Sequence, residues 1–138
     1  MALYLLDTNV LAEPLLPRPD RTLFARLEEH GSACVTAAPV LYELRYGCEL
    51  LEPSRRRAAV ERFIEDVVLR LYPVLAYDEI AAAWHARERA RLKRTGAPVP
   101  FADGVMAAIA ATNSLTLVSA NLRDFRRVRG LHVESWKS

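Results

Sequence analysis

Glycine and cysteine are scarce in this chain, at five and two among 138 residues. Cys34 and Cys48 form no CxxC pair and stand at no metal-ligand spacing to a histidine. That removes cysteine-based metal sites and disulfide frameworks, makes Cys34 a small core residue and points to a reducing compartment. No GxxxxGK[ST] loop, GxGxxG turn or GxSxG elbow occurs, so nucleotide cradles and serine-triad chemistry lack support. Lysine is nearly missing, since the 19 basic residues are 17 arginines and 2 lysines. The net charge of +2 is too small to argue for nucleic acid by itself. Uninterrupted apolar runs are short. The longest uncharged stretch, Gly104 to Leu122, contains the turn-like Thr112-Asn113-Ser114 and reads as a buried helix followed by a buried strand, with no membrane span. The first apolar run is cut by Asp7 before it could serve as an export signal, so a cytoplasmic protein is expected.

What is present is the balance of a globular protein, 51% hydrophobic and 26% charged. The length suits one domain over residues 1–138, able to bury a core without disulfides. Leu3-Tyr4-Leu5-Leu6 reads as a strand buried on both faces that delivers Asp7, Thr8 and Asn9 at its carboxyl end. Asp20 caps a helix ending near Gly31, and residues 33–36 form a second strand. Pro39 opens a helix through Tyr46 with Gly47 as its stop. A helix from Ser54 carries the stripe Val60, Phe63, Ile64 and Val67. Residues 71–75 form an edge strand weakened by Pro73. Asp78 caps a helix to about Thr95, and another runs from Phe101 to about Asn113. Strands at 115–119 and 131–133, separated by a short turn or helix over 124–129, complete an α/β alternation that implies a parallel sheet with helices on both faces.

Isolated acids at the edges of apolar elements are the candidate site. Asp7 at a strand's carboxyl end lies where ligand crevices form in parallel sheets, although Asp also caps helices well. Glu43 stands one turn into an otherwise apolar helix start, where the helix dipole alone could account for it. Asp103 is the only charge between Arg94 and Arg123, and a carboxylate in so apolar a helix is costly to bury without a partner. A bound cation would supply that partner. Three carboxylates without His or Cys make an oxygen-only donor set, which suits Mg²⁺ or Mn²⁺ over Zn²⁺. His30 and His85 read as surface residues, and His132 has no ligand partner nearby.

The ordered fragments Leu5-Leu6-Asp7-Thr8-Asn9, Glu43 within Pro39 to Gly47, Pro100-Phe101-Ala102-Asp103, and Ser119-Ala120-Asn121-Leu122-Arg123-Asp124-Phe125 resemble PIN-domain ribonucleases, and more narrowly VapC-type toxins of toxin–antitoxin pairs. The resemblance spans the full length. It implies a PIN-like three-layer α/β/α sandwich on a mostly parallel sheet, Mg²⁺- or Mn²⁺-dependent cleavage of RNA, a homodimer, and inhibition by a small cognate antitoxin. Carried over by position, Asp7, Glu43 and Asp103 match the acidic cluster, with Asp7 and Asp103 as metal ligands. Asp124 is taken as the fourth acid and Asn121 as its competitor. Thr8 and Asn9 would orient Asp7 or a bound water, and Ser119 would play a similar supporting part.

Clustered acids repel one another and a phosphate, so at least one carboxylate pKa should be raised when no cation is bound. Arg123, Arg126 and Arg127 follow the last fragment and are expected to hold RNA phosphates. The runs Arg87 to Arg94 and Arg55-Arg56-Arg57 read as solvated faces. A haloacid-dehalogenase-type phosphatase would need a second Asp where Asn9 stands. The remaining rival is a non-catalytic PIN-fold module that binds RNA or a protein partner.

Overall fold

The computed structural model describes all residues, 1–138. Five short strands, β1 (Tyr4–Leu6), β2 (Cys34–Ala37), β3 (Val74–Leu75), β4 (Thr116–Val118) and β5 (His132–Glu134), form one sheet in the order β3-β2-β1-β4-β5. Every pairing is parallel, with Leu5 beside Val35 on one side and Leu117 on the other. β1 is central, and Leu5 and Leu6 are both fully buried, as an apolar run covered on two faces requires. The chain leaves β1 toward β2 and β3, then crosses back to β4 on the opposite flank. The carboxyl ends of β1 and β4 are therefore the topological switch point, where parallel sheets open a crevice.

Helices α1 (Thr8–Leu11), α2 (Arg21–His30), α3 (Ala38–Glu49), α4 (Arg55–Phe63), α5 (Leu69–Leu71), α6 (Glu79–Arg94), α7 (Phe101–Thr112) and α8 (Leu122–Phe125) fill the connections. Asp20, Ser54 and Asp78 accept amide hydrogens from Leu23, Arg57 and Ala81 and so cap α2, α4 and α6, each such cap adding about 1 kcal/mol. A π-helical turn, Ile64–Val68, joins α4 to α5 and turns Ile64 and Val68 fully into the core. No helix is long and apolar enough to cross a membrane.

Outside β3 the strand ends fall within a residue of the sequence reading and the short helix read over 124–129 lies at Leu122–Phe125, while two further boundaries differ. α3 does not stop at Gly47 but continues to Glu49. Cys48 is buried there, and Arg57 reaches back to Glu49 and to the Leu51 carbonyl, so tertiary contacts outweigh the roughly 1 kcal/mol cost of a helical glycine. The edge strand shrinks to Val74–Leu75 because Leu69–Leu71 stays helical. Pro73, lacking an amide hydrogen, still accepts from the Thr36 N–H at 2.9 Å.

Candidate active site

β1 ends and α1 begins without a loop, so Asp7 is both the strand's last word and the helix cap. Its Oδ1 accepts the Thr8 N–H at 2.8 Å, and its backbone N–H is tied to the Val118 carbonyl at 3.0 Å. The second oxygen accepts the Ser119 hydroxyl at 3.0 Å, while Ser119 Oγ in turn accepts the Asn121 N–H at 3.1 Å. Capping and positioning are thus not alternatives for Asp7. The strand end and the chain after β4 lock the carboxylate in one orientation.

Of the neighbouring pair, Thr8 holds Asp7 and Asn9 makes a different tie. Asn9 Oδ1 accepts the Ala120 N–H at 3.2 Å, so it ties α1 to the segment after β4 and does not orient Asp7. Thr8 touches Asp7 through its amide, and its buried hydroxyl has no hydrogen-bond partner.

α3 starts directly from β2 and carries Glu43 on its exposed side, while Leu44 and Val40 anchor the buried face. α7 brings Asp103 in its first turn, followed by the buried run Val105 to Ala110. α8 is anchored by buried Phe125 and presents Asp124 outward. These four acids converge electrostatically on Asp103. Its pKa is raised above the usual 3.8, first by burial and then by the negative charges of Asp124, Asp7 and Glu43, with no cation offsetting them. A raised carboxylate within mutually repelling acids is what the sequence led one to expect. No three Asp, Glu, His or Cys side chains are drawn tightly enough to hold a metal ion as they stand, so the cluster is open and not a closed cage. Its donor chemistry, all carboxylate oxygen without a thiolate or imidazole, fits a hard divalent cation.

Asn121 sits at the start of α8 and its side chain makes no capping bond. Arg123, Arg126 and Arg127 are exposed and flank two open clefts that share Asp124. One, of about 480 Å³, lies against Gly96 to Pro100; the other, of about 570 Å³, lies against Ala120 to Leu122 and Ser135. In the other basic runs Arg55, Arg56, Arg87, Arg89, Lys93 and Arg94 are exposed, as on a solvated face, and two arginines are tied into the fold. Arg57 binds Glu61, Glu49 and the Leu51 carbonyl, and Arg91 binds Glu88 and the Arg127 carbonyl.

The histidine reading needs correction. His85 is only 4% exposed, shares a 2.9 Å hydrogen bond with the Tyr77 hydroxyl and packs under α7. A signal was present, since Ala81, His85 and Leu92 are the buried positions of α6 at spacings of four and seven; the surrounding charges obscured it. His30 is half-buried and packs against the rings of Tyr4 and Trp136, which also touch each other.

The PIN domain family model matches residues 4–131. The chain is 35% identical over 137 residues to the tRNA(fMet)-specific endonuclease VapC of Salmonella typhimurium, covering 99% of each. It is 34% identical over 128 residues to Toxin FitB of Neisseria gonorrhoeae, covering 88% of this chain and 89% of the relative. Among solved structures, FitAB bound to an IR36 DNA fragment matches with a TM-score of 0.90 at 30% identity, covering 99% of this chain and 97% of the other. Sheet order, acid placement and these likenesses agree, and the chain belongs to the PIN domain family, among its VapC-like members.

Proposed function

We propose that this protein is a metal-dependent endoribonuclease that serves as the toxin of a toxin–antitoxin pair. The observation that carries the reading is Asp103, an acid pushed upward first by its partial burial and then by three other carboxylates, and compensated by no basic side chain. Such an arrangement is unfavourable for folding and favourable for gathering positive charge at the switch point. Asp7 and Asp103, with Glu43 and Asp124 around them, would hold Mg²⁺ or Mn²⁺, which supplies charge neutralisation at phosphorus and a more acidic water.

The chain's own residues do the rest. Ser119 and the Thr8 amide keep both oxygens of Asp7 fixed, so the carboxylate needs no reorganisation when substrate arrives. Arg123, Arg126 and Arg127 hold the RNA backbone along the clefts beside Asp124. Asp124 supplies the fourth acid in preference to Asn121, because it adds a negative charge that acts on Asp103 where Asn121 would add none. A carboxylate of the cluster takes the proton of the attacking water.

Two surfaces support the protein partners. A groove of about 650 Å³ between α2 and the π-turn, walled by Phe24, Leu27, Phe63, Val67, Leu71 and Tyr72, suits the apolar face of an antitoxin helix. On α3 and just past its end, Tyr42, Tyr46 and Leu50 repeat at helical spacing on an exposed stripe beside Glu43, with the two tyrosine rings stacked 6.0 Å apart. That stripe suits a second copy of the chain.

The test is cleavage of a cellular RNA pool by the purified, partner-free protein with Mg²⁺ or Mn²⁺ against EDTA, with Asp7→Asn beside it. Cation-dependent cutting that falls at least about 100-fold in the variant is expected. Equal inertness of both folded proteins under every metal condition would instead favour the binding module.

A further inference from the structure

His85 belongs to none of the groups above, yet it is packed against the turn that carries Asp103. Its ring occupies the place a side chain at position 104 would take. A Cβ on Gly104 would fall inside contact distance of His85 Nε2 and 2.8 Å from Cδ2, so glycine there is dictated by the histidine. The same ring lies 4.9 Å from that of Phe101, and the Arg89 guanidinium sits 5.3 Å from the Phe101 ring centre. Residues 101 and 104, which flank Asp103, are both gripped by one imidazole. The imidazole itself is held from behind, its Nδ1 2.9 Å from the Tyr77 hydroxyl at the approach to α6. The cavity that His85 and Gly104 line between α6 and α7 holds about 10 Å³, at the lower limit for a single water, so α7 has little room to move toward α6 at Gly104.

We propose that His85, braced by Tyr77 and seated in the gap at Gly104, is a positioning residue that sets the first turn of α7 so that Asp103 faces Asp7, Glu43 and Asp124. The proposal rests on the metal-dependent nuclease reading of that cluster. Close packing makes the effect a matter of geometry: interiors at crystal-like density transmit a displaced ring directly to its neighbour. A misplacement of about 1 Å at a reacting group costs up to about 100-fold in rate.

The experiment compares wild type, His85→Ala, Gly104→Ala, the double variant, Tyr77→Phe and Asp103→Asn. Each is read for Mn²⁺ affinity by calorimetry, for kcat and KM on an RNA substrate, and for Tm. His85→Ala is expected to lower kcat at least about 10-fold and weaken Mn²⁺, with the KM for RNA within about twofold of wild type. Gly104→Ala should do the same or more, and His85→Ala placed on top of it should recover about 10-fold, because the methyl group then refills the vacated space. Tyr77→Phe, which keeps the packing, should shift Mn²⁺ affinity in the same direction by a smaller factor. A fall in Tm for His85→Ala with kcat and Mn²⁺ affinity at wild-type values would overturn the proposal, as would losses that simply add in the double variant. If Gly104→Ala does not fold, His85→Ala and Tyr77→Phe decide it by the same readouts. Asp103→Asn separates the two levels: if it leaves Mn²⁺ binding and cleavage intact, the nuclease reading of the cluster fails and takes the positioning role with it.

Discussion

Two acids withdrawn from solvent, one buried and one half-buried, are treated in opposite ways. Glu13, only 2% exposed, accepts the Asp20 N–H at 3.1 Å through one oxygen. Its other oxygen accepts no hydrogen bond but lies 3.4 Å from the Lys137 ammonium, close enough for an ion pair. Asp103 is less deeply placed and feels the negative charge of three more carboxylates with no cation offsetting them. Glu88 sharpens the contrast. Two hydrogen bonds from Arg91 and one from the Arg129 amide hold its carboxyl below the ordinary 4.5. Where an acid serves the fold, the fold supplies its positive partner. At the switch point it supplies more negative charge, and the fold alone gives no reason for that.

The comparison can be broken at the structural end first. Glu13→Ala removes a buried carboxylate together with its ties to Asp20 and Lys137, and should lower stability by about 2–3 kcal/mol in a urea titration while the cleavage rate per folded molecule stays within about twofold. A large loss of rate in that variant would mean the two acids are not separate in purpose. Glu88→Gln should cost about 1 kcal/mol at pH 7. Because the folded pKa of Glu88 is depressed, that stabilisation exists above 4.5 and is lost as pH falls through the folded value, so the gap between wild type and variant should close in acid. Smallest on the fold and specific to the site, Arg126→Ala should leave Tm unchanged and reduce the salt slope of RNA binding by about 0.7.

Much of this was legible because the apolar runs are so clean. A short apolar strand that runs straight into Asp7, and a helix whose single charge is Asp103, announce their acids by contrast. The caps at Asp20, Ser54 and Asp78 were local and followed from their own residues. What stayed hidden depended on distant parts of the chain. The burial of Glu13 is inseparable from Lys137 near the other end, and the continuation of α3 past Gly47 depends on Arg57. His85 lay within a charged stretch, and only the packing of α6 on α7 explains both its burial and the glycine opposite it. Asn9 looked like a neighbour of Asp7, yet its partner is Ala120 on the far side of the crevice.

The most direct test of the central claim, that the acids at the switch point serve chemistry at the expense of the fold, is Asp103→Asn measured for cleavage rate and for Tm across pH. Since the folded pKa of Asp103 is raised, its ionised form weakens the fold increasingly as pH climbs above 3.8, and the penalty is complete above the folded value. The account predicts a loss of rate of at least about 100-fold together with a higher Tm than wild type at pH 7, the stability advantage vanishing in acid. A variant that cuts RNA within a few-fold of wild type, or that is less stable at pH 7, would contradict it.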